Sequence, residues 1–300
     1  MTHFTHTAFP AFRMAVFACL LALAACGGEE NTAATTDTLP DNDTAQTASA
    51  ENVFYYIPSP IEMADLLRRA GAGYDKDLPN LPDNVSRYTS TTSQALNLGI
   101  YGADVSFSGI MGQTAETMTF MSCANKLAEG LHVSSAFPPA LRDRLETNMG
   151  SRDSVLNIIT NAYWDCDALL HENNQQHASA LMIAGGWIEG LYLACRVAEK
   201  TNNNEIRIRI AEQRFSLDKL IDLLNSRKHN DLTALANELK ELQAIYAKLP
   251  PPAATTAKEE NGITVIGAED DVKPVSLNAL EFKAIFDKVK AIREKIVTRT

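Results

Sequence analysis

ASALMIAGGWIEGLYLACRVA, residues 178–198, is apolar almost all round a helix, interrupted only by Ser179, Glu189 and Arg196. ALNLGIYGADVSFSGIMG, residues 95–112, is built alike, with Asn97, Asp104, Ser106 and Ser108 as its exceptions. A helix at a protein surface carries an apolar stripe on one side, whereas one that is apolar on every face is buried. The pair therefore predicts an all-α, multi-helix bundle with two buried Gly-rich central helices. Gly99, Gly102, Gly109 and Gly112, with Gly185, Gly186 and Gly190, each cost about 1 kcal/mol relative to Ala inside a helix. Close approach of neighbouring backbones is the expected compensation. Residues 178–198 are also long enough to span a bilayer. Glu189 at the centre of such a span would cost ~2.5–3.5 kcal/mol, and no second spanning segment accompanies it. Burial in a bundle is the reading adopted.

One-sided helices are expected around this pair. Ser59-Pro60-Ile61-Glu62 carries a start signal, with Ser as N-cap, Pro at the first helical position and Glu three residues after the cap. That helix runs to about Ala70, before Gly71 and Gly73, and 75–92 reads as loop around Pro79 and Pro82. Further helices are expected over 93–112, 114–131, 138–148, 151–172, 175–200, 204–225 and 230–249. The last two set Leu and Ile stripes against charged faces, with Asp218, Lys219, Lys240 and Glu241 in water. Pro250-Pro251-Pro252 closes a bundle domain of 52–249. A polar linker, 250–276, holds one candidate strand at Ile263–Ile266, and an amphipathic helix in 277–300 packs back on the bundle. A period of two is sustained nowhere, which argues against a sheet-based fold.

Each central helix holds one acid, Asp104 or Glu189. Ala95-Leu96 precedes Asp104 and Phe107 at the offsets by which Ala180-Leu181 precedes Glu189 and Tyr192, a faint repeat that would set the two acids face to face. A buried carboxylate must be paired, hydrogen-bonded or protonated. Two readings follow. In one, the acids are structural, bonded to the hydroxyls of Tyr101 and Tyr192 or paired with Arg152 or Arg196. In the other they line a polar pocket for a cation or polar ligand, with Tyr101, Tyr192, Trp187, Trp164 and Asp165 as further ligand-binding candidates. A second constellation, Trp164-Asp165-Cys166-Asp167 with His171, Glu172 and His177, places Asp167 and His171 on one helical face as candidate metal ligands. No His-Glu-x-x-His or Glu-x-x-His spacing supports a metal, and His171 near a helix end also suits the dipole. There is no Gly-x-Ser-x-Gly elbow, phosphate loop or dinucleotide fingerprint.

At the N-terminus Arg13 precedes an apolar run of about a dozen residues, Met14 to Ala25, which is signal-peptide length. The run closes on Leu23-Ala24-Ala25-Cys26, which resembles the lipobox of bacterial lipoprotein precursors. The resemblance implies removal of 1–25, diacylation of the Cys26 sulfur and acylation of its new amino group. Two or three chains anchor a protein stably where one does not. The alternative is an ordinary secretory signal cut near Ala25, leaving Cys26 a thiol. Gly27 after the cysteine implies the outer membrane, and Glu29-Glu30 resembles the acidic export signal of surface-exposed lipoproteins. Residues 26–51 are Thr, Ala, Asp, Asn and Glu with little to bury, and so are expected to form a disordered tether.

Loss of Arg13 with the signal takes the formal charge from −10 to about −11, which excludes an electrostatic footprint for nucleic acid. Cys123, Cys166 and Cys195 remain, an odd and widely spaced set expected as buried thiols more than as a disulfide framework. Ile57-Pro58-Ser59-Pro60, Leu98-Gly99-Ile100-Tyr101-Gly102-Ala103-Asp104 and Gly185-Gly186-Trp187-Ile188-Glu189-Gly190 together resemble an uncharacterised family of Bacteroidota envelope lipoproteins over about 52–249. That resemblance implies location and helical class, and no activity or site. The expectation is a lipid-anchored envelope protein with no cofactor beyond the lipid on Cys26. It would work as a helical module that binds an envelope protein or small ligand. The alternatives are an enzyme using the core acid pair, with or without a metal, and a structural scaffold.

Overall fold

The computed structural model describes residues 59–250, 255–260, 263–268 and 275–299. The chain divides into two units, Met1–Asp41 and Asn42–Thr300, and every described residue belongs to the second. The signal segment, Cys26 and the tether expected over 26–51 lie outside the described residues.

Nine α-helices are described: α1 (Pro60–Arg69), α2 (Thr91–Ile110), α3 (Thr114–Gly130), α4 (Pro139–Asn148), α5 (Arg152–Glu172), α6 (Gln176–Thr201), α7 (Asn204–Asn225), α8 (Asn230–Tyr246) and α9 (Ala279–Val297). Local chemistry sets their ends. Ser59 and Glu62 form the reciprocal capping box expected at α1, and Asn278 with Glu281 forms another at α9. Asn203 caps α7, its side chain accepting from the amides of Glu205 and Ile206. Asn174 and Asn202 adopt positive φ after α5 and α6, which Asn tolerates better than most residues. Gly112 was expected inside a helix. It lies instead past the end of α2 at φ 72, where a left-handed residue stops the helix.

The central pair is α2 and α6. Nearly all residues of both are buried, and α6, though long and apolar enough to cross a membrane, is enclosed by the bundle. Their glycines explain how closely they pack. A Cβ on Gly99 would lie 1.9 Å from the Met182 carbonyl oxygen, and one on Gly185 2.0 Å from that of Leu96. Gly102 and Gly190 face no such backbone; the nearest atoms to a Cβ there stand at 3.8 and 3.6 Å. Helices α1, α3 and α5 pack on α2; α7 and α9 pack on α6; α8 closes against α7 and α9. Apolar side chains from all nine helices join in one core. Asp218, Lys219, Lys240 and Glu241 are exposed, as their stripes required.

Two strands are described within the stretch expected as a linker. Strand β2 (Ile263–Ala268) covers the candidate strand and pairs antiparallel with β1 (Thr255–Glu260), in a register from Thr255 opposite Ala268 to Glu260 opposite Ile263. Asn261-Gly262 between them is the residue pair most favoured in two-residue hairpins. Polar Thr, Lys and Glu on β1 hid the pairing from a search for apolar alternation.

Candidate functional site

Asp104 on α2 and Glu189 on α6 are both fully buried, and they meet at a single polar centre with Arg293 from α9. The Arg293 guanidinium grips Glu189 with both arms, Nε to Oε2 at 2.6 Å and NH2 to Oε1 at 2.9 Å. It also lies over the Tyr192 ring at 4.2 Å, a cation–π contact. Asp104 Oδ2 accepts the backbone N–H of Asn80 at 3.1 Å. Asp104 Oδ1 accepts no hydrogen bond, and the Asp104 carboxyl neighbours that of Glu189. Two carboxyls form a hydrogen bond only when one of them carries the proton. Burial, then the Glu189 charge, push the Asp104 carboxyl well above the usual carboxylate range, against the opposing pull of Arg293 and the Asn80 amide. With Asp104 protonated, the centre holds one negative and one positive charge and is neutral.

The surrounding network ties distant segments together. The Asn80 side chain donates to the Tyr88 hydroxyl at 3.0 Å, and that hydroxyl donates to the Val297 carbonyl at 3.1 Å. Asn97 donates to the Ser93 carbonyl at 2.9 Å and reaches the Ile296 carbonyl at 3.4 Å. Residues 78–90, read as plain loop, thus deliver buried Asn80 and Tyr88 to the core. Asn80 and Arg293 were missed in the sequence. A signal for Arg293 was present: it sits on the apolar stripe of Phe282, Phe286, Val289 and Ile296, one turn beyond Val289. For Asn80 there was none, since nothing local says where a loop residue lands.

The partners expected for the two acids are corrected. Tyr101 donates to the Leu81 carbonyl at 2.8 Å, and Tyr192 offers its ring to Arg293 and no hydroxyl to Glu189. Arg152 pairs with Asp65, and Arg196 lies near Glu199. Trp187 is buried and donates to Gln213 at 3.2 Å, while Asp165 points into solvent. Trp164 stands apart from this centre, at the mouth of a groove between α1, α2 and α5.

Asp167 and His171 do share a face, with Nε2 and Oδ1 3.7 Å apart. The partner of Asp167 is Ser179 on α6, whose hydroxyl donates to it. Burial raises the Asp167 carboxyl. His177 is elsewhere, stacked on His229 at 4.6 Å. Among the described residues no group of three or more His, Cys, Asp or Glu side chains comes together as a metal would require. Cys123, Cys166 and Cys195 are free and buried.

A groove of about 390 Å³ opens between α1, α2 and α5. Its floor is apolar, formed by Leu98 and Val105 of α2, Ile159 and Ala162 of α5, and Met182 of α6. Trp164, 43 % exposed, and the half-buried Phe137 and Leu156 stand at the mouth, and α1 forms a polar lip. Of the ligand-binding candidates named from the sequence, Trp164 alone lines it. No family model, curated protein or solved structure matches the chain.

Proposed function

We propose that this chain is a lipid-anchored protein of the bacterial envelope whose helical bundle binds a small apolar molecule in the groove between α1, α2 and α5. The observation that carries the binding reading is the groove itself: about 390 Å³, with an apolar floor and an aromatic mouth. Small-molecule sites are mostly apolar concavities of about 300–1,000 Å³ with few polar groups. The acid pair serves structure in this reading. Both carboxyls have zero exposure, neither lines the groove, and Glu189 is fully engaged by Arg293. The anchor rests on Leu23-Ala24-Ala25-Cys26 and the apolar run before it.

Two experiments test the reading. The chain has two tryptophans, so Trp187→Phe leaves Trp164 as the sole reporter at the groove mouth. Decanol should then shift its emission saturably, and Thr160→Phe, a change in the groove wall, should abolish the response at unchanged Tm. An unsaturable or absent response refutes the groove. For the anchor, Cys26→Ser should move the protein from membrane to soluble fractions; unchanged fractionation refutes it.

A further inference from the structure

We propose, resting on that reading of the groove, that its ligand is a single-chain amphiphile with an anionic head. The chain lies on the apolar floor and the head binds at Arg69 and Arg152. The α1 lip gathers three guanidinium groups around one carboxylate. Arg68, Arg69 and Arg152 approach Asp65 at 3.3, 3.1 and 3.8 Å. One carboxylate cannot satisfy three guanidinium groups of five N–H donors each. The other nearby acids do not complete the set. Glu62 turns its carboxylate to the Ser59 amide at 2.8 Å, and Asp153, 3.5 Å from Arg152, is 84 % exposed to water.

Arg69 lines the groove itself, and Arg152 stands one helical turn before Leu156 at its mouth. Both are about half exposed or more. Arg69 approaches Asp65 through Nε, while the two terminal nitrogens of Arg152 stand 3.8 Å from Asp65 and 3.5 Å from the exposed Asp153, longer than charge-assisted hydrogen bonds. Both guanidinium groups can therefore turn to a carboxylate or phosphate oxygen pair. The charged lining residues, Glu62, Asp65 and Arg69, all belong to the α1 lip, and the rest of the groove is uncharged, mainly Leu, Val, Ile, Ala and Met with Ser106, Thr160 and Tyr163. A cationic head would meet those guanidinium groups, and a neutral one would leave them to water. Decanoate, a single short chain on a carboxylate, is the simplest probe of this chemistry.

The test uses the full chain with Cys26→Ser, so that no lipid of its own competes, and titration calorimetry against decanoate, decanol and decyltrimethylammonium below their micellar concentrations. Decanoate should bind about tenfold more tightly than decanol, the low end for charge-assisted hydrogen bonds, and the cation most weakly. Arg69→Gln with Arg152→Gln, both surface changes, should bring decanoate down to the decanol value and leave decanol unchanged. Equal affinities in the parent chain overturn the anionic head while the apolar groove stands. Absence of binding by all three overturns both. Val53-Phe54-Tyr55-Tyr56-Ile57 is itself apolar and leads directly to Ser59 on the lip. Binding that appears only after Phe54, Tyr55 and Tyr56 are each replaced by Ser would assign the groove to the chain's own segment and overturn the proposal.

Discussion

Replacing Asp104 by Asn tests the shared proton at the core. Asn keeps an oxygen for the Asn80 amide and presents an NH2 to Glu189, as protonated Asp104 presents its O–H. The folded-state pKa of Asp104 is raised, so its contribution is fully present below the unfolded value of about 3.9 and is lost as pH rises through the folded value. Inside that window the native state holds one proton more than the unfolded chain. Parent stability should therefore fall by up to ~1.4 kcal/mol per pH unit relative to Asp104→Asn. Two pH units within the window amount to ~2.7 kcal/mol, or about 5–10 °C in Tm for a domain of this size. Asp75, Asp231 and Glu238, whose pKa values are lowered, give the opposite slope at acid pH, and Asp167, whose value is raised, adds the same slope as Asp104. All four are common to both proteins and cancel in the difference. Urea unfolding at half-unit steps from pH 4 to 9 measures it. The curves should meet at the acid end and diverge upward, with Asp104→Asn the more stable. Parallel curves across the whole range would mean that Asp104 is ionised in the native core, and the shared proton would be wrong.

Arg293→Met should cost about 3–5 kcal/mol in urea unfolding, because it leaves the Glu189 charge buried and alone. Adding Glu189→Gln should return part of that loss; additive losses would argue against the pairing. Gly99→Ala and Gly185→Ala should each destabilise by about 1–3 kcal/mol or more through backbone collision, while Gly190→Ala should be neutral or gain up to about 1 kcal/mol in helix propensity. Thermal melts of the three variants distinguish a general intolerance of Ala from this ordering. Cys123, Cys166 and Cys195 should resist a thiol reagent at pH 8 until the chain unfolds, since all three are buried and burial raises each thiol, Cys123 to about 11. Peptide mapping after brief labelling reports any that react early.

The helices were legible because their determinants are local. Caps such as Ser59, the apolar periodicity of α7 and α9, and the positions of Asn and Gly set most boundaries to within a residue or two. Burial of α2 and α6 was legible for the same reason: a stripe too wide to be one face of a helix has no surface side. Their all-round apolarity likewise required Asp104 and Glu189 to be compensated in the core. It did not say by what.

The partner of Glu189 lies 104 positions away, and the groove draws on five helices, so neither has a local pattern. Arg152 and Arg196 were nearer in sequence and were the wrong guesses; Arg293 won because α9 folds back along α6 with its apolar stripe inward. The groove was invisible for a related reason. Leu98, Ile159 and Met182 read as ordinary core residues, and whether the space between them is filled depends on how closely α1 and α5 approach α2. Composition and periodicity thus suffice for which segments are helical and which faces must be hidden, since those follow from short-range hydrogen bonding and hydrophobicity. The pairing of buried charges and the unfilled space between helices depend on long-range packing of whole helices, and appear only once the bundle is assembled.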